Sequence, residues 1–246
     1  MSARRVALIT AANFYVGPDI ARRLAATNHD LVLGDASDEL VAELEALGSR
    51  VVNVIGGSKA RSEEDYAVLV KAGLDAFGQI HAATMFSGVV VTGRFLDSSA
   101  EDLSKVVAGC IEQPYHFLKA IVPTMVEHED GQILVLTSAT ASRPTFGAPL
   151  YSAARAGGTM LAKNVAEEVV RKNVQVNVLG TNFMDFPEFL RASGATDPAV
   201  RSVIESQVPM RRLGTVEECA ALCSAFLDGT SRFMTGQWIS FSGGWS

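Results

Sequence analysis

Apolar runs alternate with longer segments of helical period from one end of this chain to the other, and that alternation narrows the fold more than any single residue does. Val6–Thr10, Asp30–Gly34, Val51–Ile55, Ile80–Met85, Gln132–Thr137, Val174–Leu179 and Trp238–Phe241 are short, apolar and bounded by turn residues, a pattern that predicts strands buried on both faces. Between them, Pro18–Thr27, Ser37–Leu47, Ser62–Phe77, Glu101–His128, Leu150–Lys172 and Val216–Asp228 predict helices. Pro18 suits a first helical turn, and Ser37 ahead of Leu40 and Val41 suits a capped start. The order predicts an α/β chain, a doubly wound parallel sheet forming a single domain over residues 1–246, with its ligand beyond the carboxyl ends of the strands. Thr181–Pro209 is the least regular stretch and predicts a lid or substrate loop with one or two short helices.

Composition removes several classes of function. Apolar residues make up 48% and the formal net charge is -6, so the chain lacks the basic footprint of a nucleic-acid binder, and a small molecule is the expected partner. Cys110, Cys219 and Cys223 are an odd number without disulfide spacing, and packed, reduced thiols in a cytoplasmic protein are expected. His29, His81, His116 and His128 lack ligand spacing, so no metal is expected. Ser2 to Arg5 lead into an apolar run, but Val6–Thr10 is too short for a secretory core. No segment approaches the roughly 20 apolar residues of a membrane helix.

Two places carry chemistry. The first strand runs into Ala11-Ala12-Asn13-Phe14-Tyr15-Val16-Gly17, where a dinucleotide turn needs glycines because backbone approaches the pyrophosphate. Only Gly17 is present, and Tyr15 stands where the middle glycine belongs, its ring expected to project into the cofactor space. Gly56 replaces an adenine-facing aspartate, Met85-Phe86-Ser87-Gly88 lacks paired asparagines, and Gly180-Thr181-Asn182-Phe183 replaces a Pro-Gly turn. Asp35, 18 residues after Gly17, sits where a ribose-binding acid would, and is read as a solvated surface charge. The second place is Ser138-x12-Tyr151-x3-Arg155. Tyr151 and Arg155 lie one helical turn apart on one face, and a guanidinium beside a phenol favours the phenolate, so Tyr151 suits a general base. Ser138, at a strand mouth, can hold a substrate oxygen.

With these residues the chain resembles the short-chain dehydrogenase/reductase superfamily, a Rossmann-like fold, over nearly its whole length. The tail Arg212-Leu213-Gly214-Thr215 through Gly243-Gly244 is similar to the superfamily's closing pattern. Reductases of that superfamily carry Ser, Tyr and Lys. Here Arg155 replaces the lysine, which would also grip a nicotinamide ribose, and Cys110 falls where an asparagine is usual. Ser-x12-Tyr-x3-Arg together with Thr10-x4-Tyr15-x-Gly17 resembles the halohydrin dehalogenases.

That resemblance implies a lyase that interconverts vicinal haloalcohols and epoxides, opening epoxides with anions such as azide, cyanide or nitrite, without cofactor or metal. It implies Ser138, Tyr151 and Arg155 as catalytic, and a halide pocket walled by Tyr15 on one side and Thr181, Asn182, Phe183 and Met184 on the other, where backbone N–H groups cradle the anion. Phe86, Ala139, Pro149 and Phe186 are expected to shape the substrate pocket. A homotetramer on the long helices Glu101–His128 and Leu150–Lys172 is implied as well. Two other readings stand beside it: an NAD(P)-dependent reductase with an atypical cofactor loop, favoured by Asp35 and the tail, and a non-catalytic, reductase-like ligand-binding protein.

Overall fold

The apolar runs form strands, and all of them pair in parallel. In the computed structural model, which describes residues 4–246, the strands are β1 (Arg5–Ile9), β2 (His29–Gly34), β3 (Val51–Val54), β4 (Ala82–Phe86), β5 (Gly131–Ser138), β6 (Val174–Thr181) and β7 (Trp238–Phe241). They make one sheet in the order β3-β2-β1-β4-β5-β6-β7. The order reverses between β1 and β4, which opens a crevice at their carboxyl ends. Ser2, part of the stretch read against a secretory leader, lies outside the described residues.

Alternate residues of each strand feed two separate cores. Ala7, Ile9, Leu31, Leu33, Leu134 and Leu136 pack with helices α1 (Gly17–Ala26), α2 (Asp38–Ala46) and α9 (Val216–Leu227) through Ile20, Leu24, Leu40, Leu44, Cys219 and Phe226. Val6, Leu8, Val32, Ile133, Val135 and Val176 turn the other way, onto α3 (Glu63–Phe77), α5 (Gln113–Glu127) and α6 (Pro149–Val169). Each such side chain contributes about 1.5–3 kcal/mol when buried. Strands this apolar are therefore stable only where both faces are covered, and the sheet covers both. The helix starts follow local chemistry: the Ser37 hydroxyl accepts from Leu40 N–H at 3.2 Å, Pro18 occupies the first turn of α1, and Ser62 and Asp65 cap α3 reciprocally.

The helix expected over Glu101–His128 is interrupted. It runs as α4 (Ala100–Val107), a wide π-helical turn over Ala108–Glu112, and α5. Pro114 gives the reason: it has no N–H to return to the Cys110 carbonyl four residues earlier, so the ladder widens there. The long loop after β6 contains α7 (Pro187–Ser193) and α8 (Pro198–Gln207), in line with its expected short helices. Among the described residues no helix is long and apolar enough to cross a membrane.

Candidate active site

Ser138 ends β5, and β6 lies beside it in register, with Thr137 opposite Gly180 and Ser138 opposite Thr181. The Ser138 hydroxyl accepts from the Thr140 N–H at 3.2 Å and from the Thr140 hydroxyl at 3.0 Å. Its own proton stays available to a ligand oxygen. Pro149 opens α6, where a missing N–H costs nothing. Tyr151 follows within the first turn and Arg155 one turn later. Tyr151, Arg155 and Ser138 are all buried, and the Arg155 guanidinium lies over the Tyr151 ring, 4.9 Å from its centre. Its Nη1 donates to the Ser87 hydroxyl at 2.9 Å and the Thr137 hydroxyl at 3.4 Å. The three residues named from spacing alone are thus gathered at one end of the sheet.

The opposite wall is aromatic. Tyr15 holds a left-handed backbone, φ 55°, which glycine adopts freely and a bulky residue rarely does. Its ring packs on Phe186 with centres 4.3 Å apart, and edge-on to Phe86 at 6.3 Å. Phe14 closes the cluster against both. The Tyr15 hydroxyl is buried without a hydrogen-bond partner. Burial first, then the Cys219 thiol beside it, pushes this phenol well above the ordinary tyrosine range, and the Thr181 hydroxyl only partly opposes them. A dinucleotide laid across this turn in the ordinary way does not fit the residues present, because the ring fills the space that a glycine would leave.

Of the amides expected to cradle an anion, those of Asn182 and Phe183 have partners within the fold. The Asn182 N–H donates to the Phe241 carbonyl at 3.2 Å, and the Phe183 N–H donates to the Asn182 side chain at 2.9 Å. The Asp185 and Phe186 N–H groups are likewise committed, to Gly214 and Met184 carbonyls. These four amides serve the loop. Met184 is core, and Phe183 packs edge-on to Trp245 and Phe189. Only Thr181 of this set stands next to Ser138.

The expected substrate-pocket residues divide. Phe86 and Phe186 belong to the aromatic wall, and Ala139 is fully buried behind Ser138. Pro149 faces a groove of about 200 Å³ that it shares with Val91, Arg94, Asp97 and Leu150. Asp35, expected as a solvated surface charge, is partly exposed and also tied to the neighbouring loop. Its carboxylate accepts from the Gly56 N–H at 2.6 Å, the Ser58 N–H at 2.9 Å and the Ser58 hydroxyl. Burial raises its pKa, but the Ser58 hydroxyl, those N–H groups and the Lys59 charge outweigh that and hold it below the usual carboxylate range. Ser87, Gly88, Thr137 and Thr140 were missed as site residues. The one available signal was that Ser87-Gly88 closes β4 beside the strand that carries Ser138.

A family model described as enoyl-(acyl carrier protein) reductase matches residues 11–246. The chain is 29% identical over 251 residues to 2,5-dichloro-2,5-cyclohexadiene-1,4-diol dehydrogenase LinX of Sphingobium indicum, covering 99% of this chain and 97% of that one. It is 28% identical to dehydrogenase/reductase SDR family member 4 of Oryctolagus cuniculus, covering 98% and 94%. A solved structure described as a dehalogenation enzyme superposes with a TM-score of 0.84 at 22% identity over 99% of this chain and 98% of that one. At that identity the likeness speaks for the fold alone.

These relatives overturn the expected haloalcohol–epoxide lyase and the expected independence of nicotinamide, since the matched family and relatives are named as reductases and dehydrogenases. The physical cause of the error is that a Ser–Tyr pair handles a hydroxyl proton equally well in either chemistry. The halide pocket was then inferred from Tyr15 and the loop after β6, in which the Asn182 and Phe183 amides have partners within the fold. With its sheet order, its Ser138–Tyr151 pair and a match over residues 11–246, the chain belongs to the enoyl-(acyl carrier protein) reductase family of the short-chain dehydrogenase/reductase superfamily.

Proposed function

We propose that the chain is an oxidoreductase that interconverts an alcohol and a carbonyl, with Tyr151 as the acid–base residue and with an atypical cofactor loop. The observation that carries this reading is the convergence of Ser138, Tyr151 and Arg155 at the strand ends, in a chain whose relatives are named as dehydrogenases and reductases. A carbonyl oxygen placed between the two hydroxyls accepts from Ser138, whose acceptor side is already filled by Thr140. Tyr151 delivers the proton to that oxygen in reduction and removes it in oxidation. Arg155, a permanent cation 4.9 Å from the ring, offsets the negative charge left on Tyr151 when its proton departs. In this superfamily the hydride partner is a nicotinamide. As packed, Tyr15 leaves no ordinary place for one, so the roles assigned to Ser138, Tyr151 and Arg155 concern the proton alone.

The test is to incubate purified protein with NADH or NADPH and a panel of ketones, and with the oxidised nucleotides and secondary alcohols, following absorbance at 340 nm. Turnover that disappears in Tyr151→Phe supports the proposal. Absence of turnover with every pair, alongside calorimetric binding of a ketone or alcohol, overturns it. The second reading, a reductase-like ligand-binding protein, would then stand. It draws its support from the aromatic cluster that fills the first turn.

A further inference from the structure

We infer that Gly88, with Ser87 and Thr137, forms a seat selective for a guanidinium at position 155, and that Gly88 and Ser87 are positioning residues that aim Arg155 at Tyr151. Gly88 follows β4 with φ 125°, a backbone conformation that side chains rarely adopt. A Cβ built there would lie 1.9 Å from Nη2 of Arg155, 2.3 Å from Cζ and 2.8 Å from Nη1. The guanidinium plane thus lies directly on the backbone of residue 88. It cannot slide away cheaply. Nη1 is held by the Ser87 and Thr137 hydroxyls, the Ser87 hydroxyl is itself anchored to the Leu136 carbonyl at 3.2 Å, and the Tyr151 ring closes the remaining face.

Both hydroxyls accept from the one nitrogen Nη1, and Nε is buried without a partner, so the planar shape is matched by the bare backbone of Gly88 and not by the hydrogen bonds. A lysine side chain ends one bond short of Nη1, so its ammonium meets these acceptors less closely and leaves the flat space over Gly88 unfilled. This accounts for an arginine where the superfamily places a lysine: the residues that end β4 and β5 are shaped for it. The catalytic consequence rests on the oxidoreductase reading above, whereas the packing does not.

The experiment is a double-mutant cycle between Gly88→Ala and Arg155→Lys, read in two ways. The first is the thermal midpoint, which needs no substrate. A direct clash makes the pair non-additive, with Gly88→Ala lowering the midpoint by about 5 °C more in the native background than in the Arg155→Lys background. The backbone strain at φ 125° is common to both backgrounds and cancels. The second readout is ketone turnover with NADPH. Arg155→Lys alone is expected to lower kcat about tenfold. Gly88→Ala alone lowers it about 100-fold with KM little changed, and adding Arg155→Lys to Gly88→Ala raises it again. That reversal of sign is not produced by general loosening of the fold. Ser87→Ala, which adds no bulk, is expected to lower kcat in the native background and to have less effect in the Arg155→Lys background, so the proposal stays testable if Gly88→Ala does not fold. Additive midpoints, or equal kcat losses from Ser87→Ala in both backgrounds, overturn the seat. Non-additive midpoints in a protein inert toward NADPH with every ketone sustain the seat and remove the oxidoreductase reading instead.

Discussion

The two walls of the crevice are built on opposite principles. On the β5–β6 side the polar groups bear on one another: Thr140 fills the acceptor side of Ser138, Ser87 and Thr137 grip Nη1 of Arg155, and Arg155 covers the Tyr151 ring, with its Nε alone buried unpartnered. On the β1 side the wall is made of rings, and its one polar atom, the Tyr15 hydroxyl, is sealed without a partner. The first wall carries the hydroxyls and the guanidinium on which the proposed proton transfer rests. The second departs from the glycine-lined turn by which such folds approach a pyrophosphate. The two walls are built from separate elements, so they can be perturbed separately.

The largest expected effect is on the polar wall. Tyr151→Phe should lower turnover by about 10²–10⁴-fold, the range for a positioned acid–base group, with an unchanged far-ultraviolet spectrum showing that the fold persists. Ser138→Ala removes a single hydrogen bond to the oxygen on which charge changes. About 1.5–3 kcal/mol for a bond to a charged group corresponds to a loss of about 10–10²-fold. Equal losses from the two variants would break the proposed division of labour, because Ser138 would then be doing more than orienting the substrate.

The ring wall should respond in the opposite sense. Tyr15→Gly suits the left-handed backbone at φ 55° but removes a half-buried ring from against Phe186, so the midpoint should fall, by less than the ~3–5 kcal/mol that losing a fully buried aromatic typically costs. Affinity for NADPH, measured by calorimetry, should nevertheless rise at least tenfold, because the space over the turn is opened. Unchanged affinity would mean that the ring already moves aside at little cost, and that the contrast between the walls is one of packing and not of access.

The sequence carried the scaffold well, since strands buried on both faces must be mostly apolar and the central runs are, with β3 and β7 at the edges only half-buried. It carried Ser138, Tyr151 and Arg155 because their spacing is set by one strand end and one helix turn. Three things were hidden in it. The break at Ala108–Glu112 depends on a hydrogen bond that Pro114 cannot make. The loop amides after β6 are consumed by partners as distant in sequence as Phe241. The place of Gly88 under Arg155 is a contact across 67 positions, legible only once β4 and α6 are side by side. The misassigned reaction has the same origin: residue types and spacing describe the proton, whereas the fate of the rest of the substrate depends on what occupies the space opposite.

The smallest expected effect separates acid loss of the fold from acid loss of the site. His81 precedes β4 at the end of the sheet away from Ser138, and its Nδ1 accepts from the Val6 N–H at 2.9 Å. Burial, helped by the Arg5 charge, lowers its pKa to about 4, against an ordinary value of about 6.5. Between those two values the unfolded chain takes up the proton and the folded chain does not. The stabilisation is therefore whole above pH ~6.5 and drains away as pH falls toward about 4. His29, whose pKa burial also lowers, acts in the same direction. The Glu218 carboxyl, held at about 2 chiefly by Arg212, gives up its share only at lower pH, so it does not blur this window. Thermal midpoints taken from pH 7.5 to 4.5 should fall in the native protein and fall less in His81→Asn, which keeps an acceptor for Val6 but has nothing to protonate. Turnover at pH 7.5 should be the same for both. If His81→Asn is as acid-sensitive as the native protein, the acid limb arises elsewhere in the fold; if it loses turnover at pH 7.5, the far end of β4 is coupled to the polar wall through the strand that leads into Ser87 and Gly88.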